Sequence, residues 1–387
     1  MIQKDNVQQA IIAERIFDGF RWHDRAAVLM KRGRVVELCA AEAVPPHCKI
    51  HTLPAAAVLV PGFIDLQVNG GGGVLLNNDP TPEAMQAIAR AHRRFGTTAL
   101  LPTFITDTRE KAIAAIAAAK EAAGSDGVLG LHLEGPFLNS ARAGVHRKSH
   151  IAQAGMNDLD WLFPLADAGH SMITLAPECV PPGFIRALAS RGIRVSAGHS
   201  EATAEIMHHA VGEGLTGVTH LFNAMPPFSG RAPGIAGTAL AESRLIAGII
   251  IDGLHVDPVS VCAAFAAKGA DGIALVTDAM PTVGAGSPQF NLLGTNIMLR
   301  NGRLATEDGT LAGAHLDMES AVRNAVQIAR IPLQDALISA SRTPARFLGL
   351  EHERGVLGTG ARADLVALSD DLHALGTWIA GERVDVH

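Results

Sequence analysis

The chain has 387 residues, with 38 Asp and Glu against 32 Lys and Arg, a net charge of −6 and a pI near 6.3. With no basic block, it lacks the footprint of a nucleic-acid binder. Cys39, Cys48, Cys179 and Cys262 show no Cys-x-x-Cys spacing, which argues against a disulfide framework or a thiolate zinc site and points to a reducing compartment.

In chain order, the polar opening Met1-Ile2-Gln3-Lys4-Asp5 has no signal-like apolar region, and no uninterrupted apolar stretch reaches membrane-spanning length. A soluble, cytoplasmic protein is expected, with no membrane or nucleic-acid partner. Ala26–Met30 and Val35–Leu38 flank Lys31-Arg32-Gly33-Arg34, a hairpin signal. Ala363–Leu368 and Trp378–Val384 repeat the pattern at the far end. Neither end alone has enough apolar surface for a core. Together, residues 1–57 and 353–387 are expected to form one small β-sandwich-like domain.

Between the ends, over 58–352, eight apolar runs recur: 58–67, 97–103, 128–134, 172–178, 193–199, 217–222, 247–252 and 273–278. They lack strict alternation, as expected of parallel strands buried on both faces. Amphipathic stretches at 82–95, 108–123, 182–190, 202–211, 257–268, 315–329 and 333–348 predict helices. Eight strands with interleaved helices predict a (β/α)8 TIM barrel. A doubly wound open sheet is the competing architecture and would place its ligand at a strand-order switch. Asn301-Gly302 within 296–305 predicts a hairpin that interrupts the barrel after strand eight.

Four polar residues end these runs: Glu134, His199, His220 and Asp278. One carboxylate and two imidazoles leave an open position on a catalytic zinc-like ion, and a further Asp can handle protons. Any one of the 17 histidines is more often an ordinary polar residue at a strand-loop junction. Four such residues at four strand ends are harder to dismiss, because a barrel gathers strand ends into one pocket.

The segments Pro61-Gly62-Phe63-Ile64-Asp65, His132-Leu133-Glu134-Gly135-Pro136-Phe137, Gly198-His199-Ser200, Thr219-His220-Leu221-Phe222-Asn223-Ala224-Met225 and Thr277-Asp278-Ala279 resemble those of N-acetylglucosamine-6-phosphate deacetylases of the amidohydrolase superfamily. The resemblance extends to Ala361-Arg362-Ala363-Asp364-Leu365. It implies a TIM barrel with a small β-domain, a bound divalent metal and hydrolysis of the acetamide on a phosphorylated N-acetyl amino sugar. By that resemblance Glu134, His199 and His220 are metal ligands and Asp278 is the catalytic acid and base. It also implies that Asn223, Ala224, Arg231 and His255 contact the sugar phosphate, with Arg231 reaching a neighbouring active site in a homodimer. His146 matches a loop histidine that polarises the acetyl carbonyl or holds a sugar hydroxyl, with His255 taking the other contact.

Many members of the wider superfamily carry a His-x-His pair on strand one and a carboxylated Lys on strand four. Here strand one ends Gln67-Val68-Asn69, and no lysine occurs between Lys148 and Lys268. Amides are poor ligands for a zinc-like ion, so one metal is expected, Zn2+ foremost with Fe2+, Co2+ or Mn2+ also acceptable. A second ion would need Glu134 to bridge and Gln67 or Asn69 to ligate weakly. Asn69-Gly70-Gly71-Gly72-Gly73 lacks the Gly-Lys-Ser/Thr continuation of a phosphate loop and is read as a permissive loop beside the pocket. The alternative substrates are N-acetylgalactosamine-6-phosphate or another N-acyl amino sugar, and the alternative class is a non-catalytic metal-containing binding module.

Overall fold

The computed structural model describes residues 7–384, so the Met1–Asp5 segment lies outside it. Eight parallel strands form a nearly closed TIM barrel: Phe63–Val68, Thr97–Ile105, His132–Glu134, Met172–Leu175, Arg194–Ala197, Gly217–Val218, Ile246–Ile249 and Ile273–Leu275. They are called strands one to eight below. Strand eight meets strand one without a full ladder. Asp278 N donates to Gln67 O and Asn69 N to Ala279 O, each at 2.9 Å. Beneath them, the buried Asp65 carboxylate accepts from the Thr277 hydroxyl at 2.5 Å and its backbone N–H at 3.3 Å. Burial pushes the Asp65 carboxyl up to about 7.

Helices follow most strands, and several start where Thr or Asp ends a loop. Thr81, Thr108, Thr203, Asp257 and Asp317 each accept a hydrogen bond from a first-turn backbone N–H. Among the later helices, two stretches differ from expectation. The stretch 333–348 is two helices, Leu333–Ala340 and Arg342–Leu348, broken at Ser341. Pro344 lacks an N–H and would crowd the Ala340 carbonyl in a continuous helix, so the turn ends before it. Gly234–Ala241 is an additional helix after strand six. Its sequence, GIAGTALA, is almost entirely small and apolar and is largely buried, so no amphipathic period marks it.

The apolar run expected over 58–67 as one barrel strand is divided at Gly62. Val58–Pro61 pairs with Gln9–Phe17 and Leu365–Leu368, in a different sheet from strand one. A Cβ on Gly62 would lie 2.3 Å from Thr98 side-chain atoms, so the chain passes too close to strand two for any larger residue. The separate sheet has eight strands drawn from both ends of the chain. Alternate residues feed two apolar clusters: Ile11, Val28 and Met30 join one with Leu365 and Trp378, while Ala10, Ala27 and Leu29 join the other.

The hairpin after strand eight comprises Thr295–Arg300 and Arg303–Ala305, joined by a third strand, Gln289–Leu292. Asn301 and Gly302 have φ of 52° and 78°, the paired left-handed conformation of a two-residue hairpin turn. Leu292, Ile297 and Leu304 pack with Ile105 and Met280, which seats the insertion against the carboxyl ends of the barrel strands. Among the described residues no helix is long and apolar enough to cross a membrane.

Candidate active site

At the carboxyl ends of the strands lies a cavity of about 400 Å³. Its walls include Asn69, Glu134, His146, His199 and His220, together with Asn223, Ala224, His255 and Asp278. Glu134 closes strand three, whereas His199, His220 and Asp278 stand just beyond the ends of strands five, six and eight. All three have left-handed backbones, with φ of 48°, 33° and 49°. Such strain persists only where surrounding structure over-determines it, and it clusters at functional sites.

Glu134 Oε1, His199 Nε2 and His220 Nε2 form a triangle 3.1 Å on each side. Donors about 2.0–2.2 Å from a tetrahedral zinc-like ion stand roughly 3.3–3.5 Å apart, close to this spacing. A divalent ion held by these three residues would satisfy three lone pairs that shared protons cannot serve equally. The Arg142 carbonyl, 2.7 Å from His199 Nδ1, accepts that N–H and leaves the Nε2 lone pair facing the triangle. His146 also comes within reach: with Glu134 and His199 it forms a group whose ligand atoms lie within 4.8 Å of one another.

The electrostatics favour a cation. Burial, followed by the negative charge of Glu134, pushes the Asp278 carboxyl up to about 6. Burial disfavours ionised Glu134 too, but its bonds to His199 and His220 outweigh that and hold it well below the usual carboxylate range. Burial opposes a charge on His220, yet the carboxylates raise its pKa. Burial, then the neighbouring His199, drives His146 down to about 3, so its ring is neutral.

Gln67 and Asn69, considered above as weak ligands of a second ion, act here as donors. Gln67 Nε2 lies 3.2 Å from Glu134 Oε2 and 3.1 Å from Asp278 Oδ1, and Asn69 Nδ2 lies 2.6 Å from the same Oδ1. Both amides engage Oδ1 rather than Oδ2. Arg231 is exposed and does not line the cavity of its own chain.

The family model for amidohydrolases matches residues 58–384. The chain belongs to the amidohydrolase family. It is 40% identical over 377 residues to the N-acetylgalactosamine-6-phosphate deacetylase of Shewanella sp. (strain ANA-3), covering 92% of this chain and 94% of that one. The crystal structure of N-acetylglucosamine-6-phosphate deacetylase from Pasteurella multocida superposes with a TM-score of 0.93 at 35% identity, covering 97% of this chain and 99% of that one. A mutant of the Mycobacterium smegmatis enzyme in complex with N-acetyl-D-glucosamine-6-phosphate gives a TM-score of 0.89 at 31% identity, covering 97% and 99%.

Several residues of this amidohydrolase site carry no sequence signal of their own. Arg142 is the one Arg or Lys lining the cavity among the described residues, yet in the sequence it looks like any loop arginine. Thr106 Oγ1 stands 2.9 Å from His146 Nδ1, and Asp252 Oδ2 stands 2.6 Å from His255 Nδ1, so each imidazole has one nitrogen fixed. His255 precedes Asp257 by two residues, but only the turn after strand seven brings it onto Asp252. Gly135, with φ of 92°, follows Glu134, and Thr106 Oγ1 occupies the space a Cβ would need. Gly135→Ala should therefore displace the Thr106 side chain that holds His146 and destabilise the fold by about 1–3 kcal/mol. Thermal unfolding at the wild-type temperature would show instead that the strand-three exit tolerates a side chain.

Proposed function

We propose that this protein hydrolyses the acetamide of N-acetylglucosamine-6-phosphate to glucosamine-6-phosphate and acetate. The observation that carries this reading is the triangle of Glu134, His199 and His220 atoms facing Asp278 in one cavity. It occurs in a chain similar throughout to deacetylases of phosphorylated N-acetylhexosamines.

In this reading Glu134, His199 and His220 hold one divalent ion, Zn2+ foremost, with Fe2+, Co2+ or Mn2+ compatible with the same oxygen and nitrogen donors. Such an ion supplies Lewis-acid chemistry, polarising an amide carbonyl and making water easier to deprotonate. Asp278 Oδ2 takes a proton from the attacking water and returns it to the departing amine, while Gln67 and Asn69 anchor Oδ1. Neutral His146, fixed through Nδ1, offers Nε2 to the acetyl carbonyl or to a sugar hydroxyl. The Gln67 amide bridges the two carboxylates, an arrangement that favours a single ion over a binuclear site.

Asn223, Ala224 and His255 take the phosphate end, and Arg231 of a second subunit completes it in a homodimer working in the cytoplasm. Arg231→Ala should raise KM for the phosphorylated sugar about 10–100-fold, the worth of a charged hydrogen bond. The unphosphorylated sugar should be almost unaffected. An equal loss on both substrates would make Arg231 a structural residue.

The galactosamine epimer is a second reading, favoured by the 40% identity to the Shewanella enzyme over 92% of this chain. Acetate release from the two 6-phosphates and the unphosphorylated sugar, compared as kcat/KM at known metal content, separates the readings. Metal-loaded protein that releases no acetate from any of them would leave a binding module.

A further inference from the structure

The end of strand four, where many relatives in the superfamily carry a metal-bridging lysine, has a different occupant here. The strand stops at Leu175, and a short 3-10 turn, Pro177–Cys179, follows it. That turn carries Glu178, which does not line the catalytic cavity. Its two carboxylate oxygens accept three hydrogen bonds from two separate loops. Oε1 takes Asn139 Nδ2 at 3.0 Å and the Glu201 backbone N–H at 2.6 Å, while Oε2 takes the Ser200 hydroxyl at 2.6 Å.

Both loops converge on His199. Ser200 and Glu201 follow it directly in the chain. From the loop after strand three, Asn139 N donates to His199 O at 2.8 Å, and the Arg142 carbonyl accepts from His199 Nδ1 at 2.7 Å. Asn139 O in turn accepts from Arg142 N at 2.8 Å, so the carbonyl that fixes the ring is tied to the residue Glu178 grips. Arg142 and Glu201 then pair through their side chains. His199 thus sits inside a closed circuit, with its backbone in the left-handed region at φ 48°.

A non-glycine residue holds such a backbone only when its neighbours over-determine it, and a charged acceptor bonded to several donors is a strong way to do so. We propose that Glu178 is a positioning residue for His199: it locks the loops after strands three and five together so that His199 Nε2 is presented, already oriented, to a metal ion. Glu178 acts only through His199 and touches neither substrate nor ion. This rests on reading Glu134, His199 and His220 as a metal site.

Zinc affinity of the metal-free protein, measured by competition with a chromophoric chelator, tests it without reference to turnover. Glu178→Ala should bind zinc about 10–100-fold more weakly than wild type, the usual cost of losing a residue that orients a ligand. Asn139→Ala, which cuts one link of the same circuit, should lose part of that affinity, and the double variant should lose little more than Glu178→Ala alone. A merely structural role would lower the melting temperature of the metal-free variants and leave their zinc affinity at the wild-type value, which overturns the proposal. Should Glu178→Ala fail to fold, Asn139→Ala decides in the same way. Wild-type protein that binds no zinc would sink the metal-site reading itself, whereas wild-type binding matched by the variants sinks only the role of Glu178.

Discussion

Asp278→Asn should retain its metal and lose turnover by about 10²–10⁴-fold, the range expected when a positioned acid or base is removed. The substitution is nearly isosteric, and Asn Oδ1 can still accept from Gln67 and Asn69, so the cavity keeps its shape. What disappears is the free carboxylate oxygen that accepts a proton. A metal-loaded Asn variant with wild-type kcat would remove Asp278 from the mechanism. The pH profile gives a second check on the same group. Burial and the charge of Glu134 raise Asp278 to about 6 in the protein alone. A nearby cation favours the ionised form and moves that value down. Activity needs the ionised base, so it should fall as pH drops through a value at or below about 6 and be preserved above it. An acid limb well above that point would belong to another residue.

Removing the divalent ion should abolish hydrolysis, and one equivalent per chain should restore it. Glu134, His199 and His220 hold donor atoms at near-tetrahedral spacing beside a second, partly buried carboxylate, so the site without its ion lacks a Lewis acid to polarise the amide carbonyl. Among the described residues no Ser or Cys lines the cavity to take the place of an activated water. Gln67 and Asn69 could offer an ion only amide oxygens, which are poor ligands for a zinc-like ion, so no second strong site is expected. Metal analysis that returns two tightly held ions per chain would overturn the single-ion assignment, and full activity after exhaustive chelation would overturn the metal requirement.

The barrel was legible because its strands are buried on both faces and therefore read as continuous apolar runs separated by helical periods. Where that signal failed, a local cause is visible. Val58–Pro61 and Phe63–Val68 read as one run, since a strand buried in the small sheet and one buried in the barrel have the same composition. Gly234–Ala241 has no polar face, and Ser341 breaks a stretch whose periodicity runs on. The four strand-end residues were legible for the same reason as the strands, each being polar where an apolar run stops. The residues that position the imidazoles of the site were not. Thr106, Asp252 and Glu178 are ordinary polar residues in sequence, and each gains its meaning from a partner on another segment or across a turn.

By itself, then, the sequence determined the barrel, the sheet assembled from both chain ends and the chemistry available at the strand ends, because these follow from short-range patterns of apolar and polar residues. Only the tertiary structure decided that Glu134, His199 and His220 stand 3.1 Å apart, that Gln67 and Asn69 point their N–H groups at carboxylates, and that Arg142 faces the cavity while Arg231 does not. Those facts depend on barrel closure, which brings together residues as distant in sequence as Gln67 and Asp278 and fixes which way their side chains point. No periodicity along the chain encodes a distance of that kind.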